Sequence, residues 1–334
     1  LTTFVGVNFS NRNLTEGGGI FVDVVQGGDY EYDGVLIPNV GILLTDGLLA
    51  YSSIGIRREL AATVLIGPTT DGRMFIESAT PESLIVVGPR DSLTAKNSKL
   101  EIVGGFGEFG ANVLVYQNFD GIVNLAGPST GTVRFERNVG PLAVLNAQAW
   151  ADVRVSGNFA GTINSITEGP EDLADVKLDV RGDLASTARV NSESELTVNV
   201  GGSILKGAIL SADQGTTFTV GGNVLGTIQA GSDFMSGSVG GNVSGATLAS
   251  SNDIELAVLG SVVNSTLAAD DEFSLDVGGA VRGSTISSGD SEVTFNVAGN
   301  VVNSKFVGGL SGIVGGNVTN SQFFAAGDDL DDED

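Results

Sequence analysis

The sequence predicts an all-β fold, a parallel β-solenoid with coils of about 19 to 20 residues. Three observations carry that prediction. A Val-Gly-Gly-Asn-Val phrase recurs at a nearly fixed interval, an apolar residue stands two places before most copies, and a phrase led by Gly or Asn follows the later ones.

The recurring phrase sets the coil length. Its anchors in the C-terminal half are Val200, Val220, Val239, Val258, Val277, Val297 and Val314, in steps of 20, 19, 19, 19, 20 and 17. Degenerate copies start at Val115, Phe135, Val155 and Val180, 20 apart except for one 25-residue step with an insertion around Glu168 to Ala174. A period near 19 is too short for most helical or propeller repeats and suits one coil of a solenoid.

The preceding apolar residues are Val113, Val133, Val153, Leu178, Val198, Phe218, Leu256, Leu275 and Phe295. Alternation puts each on the same strand face as its anchor, and stacking the coils buries that face. The second phrase starts at Gly245, Asn264, Gly283, Asn303 and Asn320 and ends on Leu248, Leu267, Ile286, Phe306 and Phe323. Gly and Asn enter the left-handed backbone region at least cost, so a corner is expected there, with the following apolar residue turned inward. Parallel crossovers favour a right-handed β-helix.

Upstream the text loosens. Residues 1–65 alternate, as in Ile20 to Val25, without a 19-residue period, and are expected to form an N-terminal β cap or small β-domain. Residues 66–112 read as irregular coils, residues 113–327 as the regular solenoid and residues 328–334 as an acidic tail.

Composition excludes several functions. With 40 acidic and 16 basic residues the net charge is -24, which repels phosphate backbones and anionic membranes, so no nucleic acid partner is expected. No apolar run approaches the roughly 20 residues a membrane-spanning helix needs, so no membrane insertion is expected either. Histidine and cysteine are absent, which removes the commonest general base, the usual zinc ligands, thiol nucleophiles and disulfides. The chain starts at Leu1 rather than Met, as after signal-peptide removal, and an extracellular place at the cell surface is expected.

Four groups of residues are candidates for special roles. Asn118, Asn138, Asn158, Asn223, Asn242, Asn300 and Asn317 share one place in the phrase and are expected to stack their amides as a structural ladder. Asp213, Asp233, Asp253, Asp271, Asp290 and Asp328 recur at the far corner, either as solvated turn residues or as a column of carboxylates that calcium could bridge. Leu1, Phe4, Val5 and Val7 alternate like a donor strand, and Phe323 and Phe324 end a coil that lacks a following anchor. Together they suggest a head-to-tail homopolymer joined by strand edges. Arg134, Arg137, Arg154, Lys177, Arg181 and Arg189 gather near the insertion, the one groove where a polysaccharide-degrading site is conceivable. The acids lie at turns instead, and the chain is read as no enzyme.

The repeated phrases, from about Val113 to Phe324, resemble the β-strand repeats of secreted bacterial surface proteins of adhesin and surface-layer type. Gly222-Asn223-Val224-Leu225-Gly226-Thr227-Ile228 is similar to the text of bactofilins, cytoskeletal β-helical polymers, although the acidity and long non-repeat N-terminus differ. The first resemblance implies an extracellular structural protein, in a filament or surface layer or as a monomeric adhesin stalk touching cell-surface glycans. No site residue is carried over from either family.

Overall fold

In the computed structural model the described residues are 3–5, 7–8, 19–26, 28–32, 35–44, 53–67, 72–88, 97–105, 108–128, 131–148, 151–166 and 174–325. Side chains are described from residue 39 onward, except at 44, 97, 126–128 and 290. The fold is a parallel β-solenoid of about 12 coils of roughly 20 residues. Among the described residues there is no helix, hence none long and apolar enough to cross a membrane.

The chain divides into two compact units, Leu1–Asp179 and Val180–Asp334. That boundary differs from those expected at 65 and 112. In the first unit one sheet stacks Gly19–Gln26, Ser53–Ala61, Arg73–Ala79, Glu101–Gly104, Ile122–Pro128, Val144–Gln148 and Thr162–Ile166 in parallel. A second stacks Val35–Leu44, Thr63–Ile66, Leu84–Val87, Asn112–Val115, Thr132–Phe135 and Ala151–Val155. Strands of residues 1–65 thus join the same stack, and the departure from it is an antiparallel hairpin of Gly28–Tyr32 on Val35–Leu44. The coils begin before the repeat text does because apolar alternation alone stacks strands. The Gly-Gly-Asn phrase marks only one kind of corner.

In the second unit the anchors Val200, Val220, Val239, Val258, Val277, Val297 and Val314 face one another in register, as expected. All but Val314 are at most 3% exposed. Burying one valine stabilises by about 1.5–3 kcal/mol before entropy is counted, so the column is a main source of cohesion. Gly237 occupies the place held elsewhere by Phe218 and Leu256, and a Cβ there would strike the Phe218 ring. One large and one small residue therefore share a single layer of core.

The expected corner is present. Gly245, Asn264, Gly283, Asn303 and Asn320 all have φ between 48° and 61°. Leu248, Leu267, Ile286 and Phe306 behind them are fully buried. Phe323, expected inward with them, is 40% exposed because no described coil covers it. The last step of 17 residues is short because Gly308, at φ 142°, takes the chain from Val307 directly to Gly309, omitting the corner that carries Ser288–Ser291 in the coil before.

Candidate assembly surface

Two hydrogen-bond ladders link successive coils. At the Asn place the bond is not between amides, as expected, but from the next coil's backbone N–H to the side-chain oxygen. Asn223 Oδ1 accepts from Asn242 N at 2.7 Å, Asn242 Oδ1 from Ser261 N at 2.8 Å, and Asn300 Oδ1 from Asn317 N at 2.7 Å. Asp183 and Ser203 serve equally, accepting from Ser203 N at 2.7 Å and Asn223 N at 3.0 Å. The place favours an oxygen, which Asn, Asp and Ser all supply and only Ala280 in this unit does not.

The glycine before each Asn is part of the same device. A Cβ at Gly202, Gly222, Gly241, Gly260, Gly279 or Gly316 would collide with the oxygen offered by the coil before. In the first unit the ladder runs through Asn118, Asn138 and Asn158. There Arg137 replaces the glycine, and the bond from Asn138 N to Asn118 Oδ1 lengthens to 3.3 Å, against 2.9 Å where Gly157 precedes Asn158. A true amide ladder exists elsewhere: Asn146 Nδ2 donates to Asn124 Oδ1 at 2.6 Å and Asn164 Nδ2 to Asn146 Oδ1 at 2.9 Å.

The second ladder was not expected. Buried Ser265, Ser284 and Ser304, followed by Ser321, stand directly after the left-handed corners. Each hydroxyl donates to the carbonyl two residues back, at 2.9 to 3.0 Å. Each also accepts from the coil before: Ala246 N, Ser265 N, Ser284 N and Ser304 N donate in turn at 3.2 to 3.4 Å. This ladder points opposite to the Asn ladder. The repeated Asn-Ser and Gly-Ser pairs were its sequence signal.

Among the described residues both ladders stop at the same coil. Val318–Thr319 pairs with Val301–Val302, Gln322–Phe324 with Lys305–Val307, and Leu310–Val314 with Val293–Val297, each on one side only among the described residues. Val318 is 50% exposed although Val243, Val262, Val281 and Val301 in its column are fully buried. Phe323 stacks on Phe306 at 5.1 Å and 12°, so an aromatic stack runs from the core onto the open face. Phe324 is 47% exposed, under the Lys305 ammonium at 5.0 Å.

The opposite partner of the expected joint is placed differently. Leu1 lies outside the described residues. Phe4 and Val5 pair in parallel with Val25 and Gln26, and Val7 with Ile42, so this segment is already built into its own unit rather than being a free donor strand.

The far-corner aspartates do not form the expected column. Asp213 stands three residues before its strand partner Thr216, Asp233 two before Met235, Asp253 one before Ile254 and Asp271 two before Phe273, all in register. They occupy different places in corners three or four residues long. Asp253 Oδ1 instead accepts from Glu272 N at 2.9 Å and Asp233 Oδ1 from Phe234 N at 2.8 Å. Among the described residues no three of His, Cys, Asp or Glu are grouped to hold a metal ion. The Asp290 side chain and Asp328 lie outside the described residues.

Several of the basic residues serve the framework. Arg134 pairs with Glu136 at 2.6 Å, Arg137 Nε donates to Tyr116 O at 2.9 Å, and Arg189 Nη1 donates to Ala188 O and Gly207 O at 2.7 and 2.8 Å. Arg154 binds buried Asp152 at 3.0 Å; that hydrogen bond and charge raise the guanidinium pKa further above its ordinary value. The insertion, residues 167–173, lies outside the described residues.

On the outer face of the second unit a shallow groove of about 450 Å³ is lined by exposed Phe234, by Asp253, Glu255, Glu272 and Glu292, and by Ser274 and Thr294. Comparison with family models, with curated proteins and with solved structures finds no match.

Proposed function

We propose that this chain is an extracellular structural protein, a subunit of a filament or surface layer that grows end to end through β-strand edges. The observation that carries the reading is the open coil at Val318 and Phe323, whose columns are fully buried in the earlier coils of the second unit. Val318 and Phe323 are already about half covered, so burying the rest would stabilise by about 0.7–1.5 kcal/mol each, and the one-sided strands would gain backbone partners. A head-to-tail contact is heterologous and therefore propagates. The extracellular part of the reading rests on the acidity and on the resemblance of the repeat text. No catalytic role is assigned.

Sedimentation tests the proposal. The native chain should form species that grow with concentration, and Val318→Pro, which removes an edge N–H, should remain a folded monomer. Equal assembly by both would sink it.

A monomeric adhesin is the second reading, favoured by the exposed Phe234 ring beside carboxylates and hydroxyls in an open groove. Binding to a glycan array that disappears with Phe234→Ala would support it.

A further inference from the structure

The two ladders make the open edge selective. Every acceptor of the Asn ladder in the second unit is met by a backbone N–H that directly follows a glycine. Where the glycine is replaced, at Arg137, the bond stretches to 3.3 Å. Asn317 offers the next such acceptor. The Ser ladder supplies the converse condition, because each corner N–H from Ala246 to Ser304 is satisfied by a hydroxyl of the following coil. Ser321 N–H is the next in that series.

We propose that this edge reads the coil laid on it, accepting a parallel polypeptide segment with glycine against Asn317 and serine against Ser321, five residues apart as Gly279 and Ser284 are. The occupant is a segment of the repeat's own text, Val-x-Gly-x-Val-x-(Asn/Gly)-Ser. This rests on the end-to-end reading in using the same edge, and goes beyond it by fixing what the partner must carry. Residues 326–334 do not meet the requirement. They include six acids, one glycine and no serine. Apolar residues of such a segment would cover Val318 and Phe323, as each coil covers the one before it. The selection is geometric: a Cβ against Asn317 would displace its oxygen, and a missing hydroxyl would leave the Ser321 N–H without an acceptor.

The test uses the full chain and a fluorescent peptide with the sequence of residues 277–297. Gly279→Val and Ser284→Ala versions of the peptide, and the Asn317→Ala chain, complete the set. The parent peptide should bind saturably. Gly279→Val should weaken binding about ten-fold or more, Ser284→Ala about five-fold, and Asn317→Ala in the chain about five-fold, the size of one net hydrogen bond. Equal binding of all peptides, or no binding of the parent, overturns the selection rule. If the parent binds selectively while the chain forms no polymers, the rule stands and end-to-end homopolymerisation fails. If polymers form and Asn317→Ala assembles as well as the native chain, polymerisation stands and the rule fails.

Discussion

Ala280 interrupts the Asn ladder, and repairing it should stabilise the protein. Its N–H donates to Ser261 Oγ at 3.0 Å, but its methyl group offers nothing to Asn300 N–H in the next coil. Room for an oxygen exists, because Asn300 follows Gly299 and a Cβ on Gly299 would meet only backbone of residues 279 and 280. Ala280→Ser should therefore add one bond of the kind that Ser203 and Ser261 already make. A net hydrogen bond contributes about 0.5–1.5 kcal/mol, and fixing one serine rotamer costs only part of that. The expected gain is about 0.5–1 kcal/mol. Urea unfolding followed by circular dichroism reads it as a raised midpoint, with Ser261→Ala lowering the midpoint by a similar amount. If Ala280→Ser leaves the midpoint unchanged or lowers it, the oxygen-to-amide ladder is not a source of stability.

Further consequences follow from the same geometry. Asn223→Ser should leave the urea midpoint nearly unchanged, while Asn223→Ala should cost about 1 kcal/mol; equal losses would contradict an oxygen requirement. Val258→Asp brings a carboxylate into a column that is 2% exposed there and should cost several kcal/mol, so a variant melting like the native chain would refute the register. Asn264→Val forces a β-branched residue to φ 49° and should cost about 1–2 kcal/mol, whereas Asn264→Gly should be close to neutral. Because the described aspartates hold different places at their corners, millimolar calcium and chelator should give the same thermal midpoint, and a rise with calcium of several degrees would contradict that placement.

The coil was legible because its signals are strictly local. Val220 and Phe218 alternate along one strand, and Asn264 or Gly283 marks a backbone corner by conformational preference alone. What the text hid depends on contacts between coils. Asn223 and Asn242 share one place in the phrase, but whether an amide meets another amide or a backbone N–H depends on strand offset at the turn, which no single coil encodes. The amide ladder of Asn124, Asn146 and Asn164 escaped notice because its spacings are 22 and 18, the loops between absorbing the difference. The serine ladder is another such case, since Ser265 and Ser284 are buried and bonded both within their own coil and to the neighbouring one. The aspartates fail as a column because they hold different places at the corner: Asp213 stands three residues before its strand and Asp253 one.

Electron microscopy of the purified chain over a range of concentrations tests the proposed extension of the stack most directly. Particles of constant width that lengthen with concentration, and that Val318→Pro holds at a single subunit, are the predicted result. Particles of one length at every concentration would contradict it.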